Sequence, residues 1–282
     1  MPEALILAAI VTKFLLYLGV MLSTGTVIVT FVFNLRHTRS LTIVFSILGL
    51  IATIFGFLFR GASLTGDITG MIDPEMLGLL WNTPVGTVFI LRVVGLSLLF
   101  VGLFLGRIGI WISIIGGISA LLSFAQIGHI SGNKFALAEF ALLLHLLAIA
   151  FWIGILIPLK RLASSSSTYI VAAKIGHRFG IIASVTVPIL IVMGGYMSYE
   201  LVGSIAALTG TAYGQALIIK VVLVGSLLGL AAANKIRFIP ALSTGDPNAA
   251  THLTRSLFFE WIIIIAVLAL TAVLTTNLAL PQ

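Results

Sequence analysis

The sequence predicts an all-α polytopic membrane protein: eight transmembrane helices in two parallel four-helix repeats, with both termini outside the cytoplasm. Three observations carry this expectation. The 282 residues are 60% hydrophobic and 8% charged, with a mean hydropathy of +1.24, whereas a soluble domain carries about 25% charged residues. Lys and Arg gather in alternate connections between the apolar stretches. Two stretches of the chain also match at a fixed offset of 128 residues. The net charge of +7 would suggest nucleic acid in a soluble chain. Here it follows from the positive-inside rule, and no nucleic-acid partner is expected. The chain has no cysteine, so a soft metal must use methionine or histidine.

A hydrocarbon core about 30 Å thick needs roughly 20 apolar residues in a helix. Eight stretches qualify: 4–33, 41–60, 85–105, 108–128, 135–159, 179–203, 214–233 and 257–279. The first lacks a basic leader and a small-residue cleavage site, so it reads as a retained span and not a signal peptide. The third and fourth are joined by "GRIG" and the fourth and fifth by "HISGNK". Connections this short make antiparallel neighbours. The serine run 164–167 falls between the fifth and sixth spans and reads as a flexible linker.

Charge orients the bundle. One set of connections holds ten basic residues: Arg36, Arg39, Arg107, Lys160, Arg161, Lys174, Arg178, Lys235, Arg237 and Arg255. The other holds two, Arg60 and Lys134, with Asp67, Asp73, Glu75 and Glu200. Lys and Arg near span ends resist translocation, so the first set is cytoplasmic.

The repeat is carried by "NTPVGTVFILR" (82–92) and "GTAYGQALIIK" (210–220), in which Thr83, Gly86 and Arg92 fall on Thr211, Gly214 and Lys220. Arg39 and Gly56 in the second span echo Arg178 and Gly195 in the sixth. Each repeat is four spans, an even number, so the halves are parallel. They divide a single membrane domain into 1–128 and 129–282. Thr83 and Pro84 make an N-cap and first turn, placing Arg92 about 12 Å inside. Helical side chains lean toward the N-terminus, so Arg92 and Lys220 are expected to snorkel outward as anchors or as partners of Glu139 and Glu200.

Function is expected where the halves differ. Tyr17 of the first span occupies the place of His145 in the fifth. His145 lies about 15 Å from its helix start, near the midplane. There it is either an interhelical hydrogen-bonder or a metal ligand. Trp152, seven residues on, shares its face, and its indole N–H needs a partner. His129 closes the fourth span. In "PILIVMGGYMSYE" (188–200) Met193, Met197 and Glu200 form one helical stripe, either core or soft ligands for Cu(I). Pro188 is expected to kink that helix. The outer segment "GDITGMIDPEMLGLLW" sets Met71 and Met76 among three acids. It reads as a membrane-surface helix or as metal capture. His37, His177 and His252 fall in basic connections and read as solvated loop histidines or as acceptors of a metal on exit.

The segments "GHISG", "HLLAIAFWIGILIPL", "RFGIIASVTVPILIVMGGYMS", "GTAYGQALIIKVVLVGSLLGLAAANKIRFIPAL" and "AVLTTNLALP" resemble, in order, the copper resistance protein D family. The resemblance spans nearly the whole chain and is clearest over 128–280. It implies a bacterial inner-membrane protein handling copper, associated with uptake from the periplasm. In an inner membrane the orientation set by the charges puts both termini in the periplasm. The resemblance places the family motif on His129, His145, Trp152, Gly154, Tyr213, Gly214, Lys220 and Asn234. The fused periplasmic copper-binding domain of some relatives is not seen, so a separate partner of that kind is expected.

The resulting expectation is an inner-membrane copper transport protein, not an enzyme. It would move copper as Cu(I), import favoured, past the metal residues His129, His145, Met193 and Met197. Nothing resembles a Walker motif, so a gradient or exchange with a metal chaperone would drive it. Two alternatives stay open. One is a haem-binding membrane oxidoreductase, whose second axial ligand would be methionine, lysine or tyrosine. The other is a membrane assembly factor for a copper enzyme.

Overall fold

A computed structural model describes residues 3–126 and 136–277. The described chain is helical: α1 (Glu3–Phe33), α2 (Arg39–Thr65), α3 (Pro74–Trp81), α4 (Pro84–Gly102), α5 (Gly106–Leu122), α6 (Ala136–Ala163), α7 (Tyr169–Val202), α8 (Ile205–Gly210), α9 (Ala212–Ala233), α10 (Ile239–Ser243) and α11 (Pro247–Thr276). A π turn, Asn234–Phe238, continues α9 into α10. Among the described residues, seven helical segments are long and apolar enough to cross a membrane. The fourth expected span, α5, is apolar but has 17 residues, the lower end of the spanning range.

Local chemistry sets the helix ends. Thr83 caps α4 through Val85 N–H with Pro84 in the first turn, as expected, and Thr211 caps α9 through Gly214 N–H. Gly86 and Gly214 serve alike: a Cβ on either would run into the backbone of the short helix before it, at Trp81 or at Ala207 and Leu208. Arg92 and Lys220 stand at the same register, eight residues past Pro84 and Ala212. In the outer segment Asp67 caps a 3₁₀ turn and Asp73 caps α3. The N–H and hydroxyl of Thr69 hold the Asp67 carboxyl below its ordinary range. Two of the three acids beside Met71 and Met76 are therefore helix caps. The serine run is not a flexible linker. Ser166–Thr168 forms a 3₁₀ turn, and the Thr168 hydroxyl donates to Leu162 O at 2.6 Å.

Apolar helices have little hydrophobic reason to associate in lipid, so close packing of small residues must hold them. The central helix α1 packs against α2, α5, α6 and α11. Gly19 faces Gly49 of α2, and Gly25 lies against Ala150 and Gly154 of α6, close enough that a Cβ would overlap backbone. Ser113 of α5 donates to Leu99 O of α4 at 2.8 Å. The two halves differ in closure. In the first, α2 packs along α4; in the second, α7 and α9 barely touch.

Candidate functional site

His145 lies on the α6–α7 seam. Its Nδ1 is 3.2 Å from Leu190 O, and Gly194 leaves room for the ring, since a Cβ there would stand 3.1 Å from His145 Cε1. With Nδ1–H donating to the carbonyl, Nε2 keeps its lone pair, the arrangement by which a second contact fixes the tautomer of a metal-binding imidazole. Lys220 of α9 is near enough for its charge to act on the ring. Met193 lies beside Gly194 in sequence and is half-buried; Met197, a turn further, is buried. Glu200 is exposed at the end of α7 and Glu139 half-buried at the start of α6. His129 lies outside the described residues.

Arg92, expected as an outer anchor or as a partner of an outer carboxylate, makes its contacts on the α4–α5 hairpin. Its Nε donates to Ser123 Oγ at 2.7 Å, and its guanidinium lies 4.6 Å from the centre of the Phe124 ring. Tyr17, in the place of His145, shares a 3.2 Å hydrogen bond with the Thr275 hydroxyl. Lys13 donates to Thr275 O at 2.6 Å. His252, expected to be solvated, is exposed and stacks on Phe238 with ring centres 5.6 Å apart.

Two turns along α6 from His145, the Trp152 indole finds the partner its depth demands. Its Nε1–H donates to Glu260 Oε2 at 3.1 Å, and Asn234 Nδ2–H donates to Glu260 Oε1 at 2.5 Å. Glu260 is 2% exposed and Asn234 8%. The amide oxygen of Asn234 is buried without a partner. These three residues line a cavity of about 370 Å³ between α6, α7, α9 and α11. The α7 wall is small: Gly176, Gly180, Ala183 and Ser184, then Pro188. Pro188 has no N–H for the carbonyl of Ser184. The Ser184 hydroxyl turns back to Gly180 O and accepts from Lys235 Nζ at 2.7 Å. The π turn that holds Asn234 and Lys235 is a feature concentrated at functional sites.

Glu260 does not stand out in the sequence. The apolar stretch 257–279 puts it near a span end, but α11 starts ten residues earlier, at Pro247, which sets the carboxylate at mid-helix. Among the described residues, no group of three or more His, Cys, Asp or Glu is placed to hold a metal ion.

These features define a multi-pass helical membrane protein whose open polar groups collect in its second half. A family model described as copper resistance protein D-like, N-terminal domain, matches residues 1–134, and one described as copper resistance protein D matches residues 173–274. The chain belongs to the copper resistance protein D family, copper-handling multi-pass proteins of the bacterial inner membrane. Among the curated proteins and the solved structures, none matches the chain.

Proposed function

We propose that this protein carries copper, as Cu(I), across the inner membrane, import favoured, and that His145 is a station on the path. It acts as a transporter and not as an enzyme. The observation that carries this reading is the placement of His145: one ring nitrogen is bound to Leu190 O, the other is left for a ligand, and Gly194 clears its space. Copper would arrive from the periplasm by way of His129 and the methionines Met193 and Met197, handed over by a separate periplasmic copper-binding protein. Sites of two or three soft ligands bind weakly enough to release the ion again. The reading includes eight spans, both termini in the periplasm, and parallel halves 1–128 and 129–282. Matched caps and glycines at Thr83 and Thr211, and at Gly86 and Gly214, support the repeat. Arg92 and Lys220 are its equivalent cations, the first braced on Ser123 and the second set beside the station.

The test is His145→Gln, which keeps a side chain able to hydrogen-bond Leu190 O but removes the imidazole. The variant is expected to insert and melt like the parent while losing bound copper and copper flux into proteoliposomes. Unchanged copper binding and flux would make the histidine structural. A haem absorption band in the purified parent would instead favour a membrane oxidoreductase.

A further inference from the structure

We propose that Glu260 is a proton-binding site that couples to copper at His145, so that proton and metal compete for one buried negative charge. The proposal rests on the transport reading for its second half only; proton binding at Glu260 stands on the cavity itself. The carboxylate is held by two neutral donors, Trp152 and Asn234. Its oxygens are hard ligands, poorly suited to Cu(I). Among the described residues, Lys235 is the other charged side chain on the cavity wall, and its amine is engaged by Ser184. The cavity wall from α6, α7 and α9 adds no titratable group. On α11 itself Arg255 lies over the Phe259 ring, and Lys160 of α6 lies over Phe258. Lys13 and Tyr17 of α1 meet α11 at Thr275, about 22 Å along the helix.

Asn234 is built to serve both protonation states. With the carboxylate ionised, its amide N–H donates to Oε1 and its oxygen stands unpaired. When a proton from water in the cavity adds to Oε1, a half-turn of the amide brings that oxygen round to accept the new O–H. Trp152 goes on donating to Oε2 throughout. A buried acceptor left unpaired in one state and used in the other explains an orphan that is otherwise unfavourable.

Coupling follows from distance. His145 and Trp152 are seven residues apart on α6, about 10 Å along the axis, and Glu260 is hydrogen-bonded to the Trp152 indole, which sets the carboxylate roughly 10–15 Å from the imidazole. A unit charge at that distance, at an effective dielectric constant of about 20, changes cation affinity on the order of tenfold. An ionised Glu260 thus favours Cu(I) at His145, and protonation releases it. The imidazole of His145 also competes for protons, and Lys220 beside it opposes every cation, so the measurement must isolate Glu260.

Purified full-length protein should be titrated with Cu(I) across pH, comparing the parent with Glu260→Gln and Glu260→Asp. In parallel, acid-induced infrared difference spectra would follow the carboxyl C=O stretch. The parent should lose affinity on acidification more steeply than Glu260→Gln. That variant should bind about tenfold more weakly at neutral pH and keep only the dependence due to His145. A carboxyl band should appear in the parent, shift in Glu260→Asp and vanish in Glu260→Gln. Superimposable pH profiles for parent and Glu260→Gln would overturn the coupling. If Glu260→Gln does not fold, an unshifted or absent band in Glu260→Asp would overturn proton binding at this residue. A parent that neither binds nor moves copper defeats the transport reading and the coupling together, and the infrared band then decides proton binding alone.

Discussion

Substituting Gly194 by alanine tests whether the placement of the His145 ring matters for copper. A Cβ on Gly194 would stand 3.1 Å from Cε1 of His145 and 3.6 Å from Nδ1. Carbon contacts are favourable from about 3.5 Å, so the ring must retreat by about 0.4 Å. The Nδ1 to Leu190 O separation is already 3.2 Å. Retreat along that line takes it to about 3.6 Å, where the hydrogen bond is lost. That loss costs about 0.5–1.5 kcal/mol, while alanine gains about 0.8–1.0 kcal/mol over glycine within a helix. The two offset, so the melting temperature of Gly194→Ala should stay near that of the parent. Gly195 is the matched control, because a Cβ there meets nothing within 4 Å. Gly195→Ala should melt higher and bind copper like the parent. Gly194→Ala should bind Cu(I) about 2–10-fold more weakly, the share of imidazole orientation held by the lost bond. Both variants would be measured in detergent by thermal melting and by competition with a Cu(I) chelator. Equal copper affinity in the two alanine variants would refute the reasoning.

Two further outcomes follow from the packing and the charge pattern. Gly154→Ala sets a Cβ 2.5 Å from Gly25 O and 2.7 Å from Thr26 N, so α1 and α6 must part by about 1 Å, at a cost of about 1–3 kcal/mol. Gly225→Ala, which meets nothing within 4 Å, should be neutral or stabilising; equal melting of the two would show that the helix junction tolerates separation. Alkaline phosphatase fused after Gln282 should be active, as a periplasmic C-terminus requires. Signal only from a reporter that works in the cytoplasm would invert the proposed orientation.

What was legible in the sequence is what depends on local chemistry. The apolar stretches became helices, and Thr83 with Pro84 capped α4, because capping and hydropathy act over a few residues. Helix ends at the basic side ran past the apolar windows: α11 begins at Pro247 and not near residue 257. Polar first turns project beyond a hydropathy window, and this displaced Glu260 from mid-helix to an apparent span end. The need of the Trp152 indole for a partner was visible from its depth, but which residue met it depends on how α6 and α11 cross. The same holds for Arg92, whose partner Ser123 sits 31 residues away on the α4–α5 hairpin. The π turn at Asn234 leaves no pattern in composition, since it is one residue of misfit in an otherwise helical register.

The contrast between the halves bears on the proposal that the second carries the function. Polar groups at this depth are costly unless they are satisfied. In the first half Arg92 is paired on Ser123, Lys13 and Tyr17 reach across to Thr275 of α11, and among its described residues the Thr26 hydroxyl is the one buried side-chain group left without a partner. Its α2 and α4 pack together. In the second half the corresponding seam is open. His145 uses one ring nitrogen on Leu190, the Asn234 oxygen is unpaired, and Pro188 has broken the α7 ladder beside the cavity. A chain under pressure only for stability would close these groups, as Ser123 does for Arg92. Sites that depart from local satisfaction are where a ligand completes the set. The rigid half then serves as the support against which α6 is fixed through Gly25 and Gly154, so that His145 and Trp152 are held at a constant separation. That fixed separation also sets the distance from His145 to Glu260, which is hydrogen-bonded to Trp152, as the proposed coupling requires.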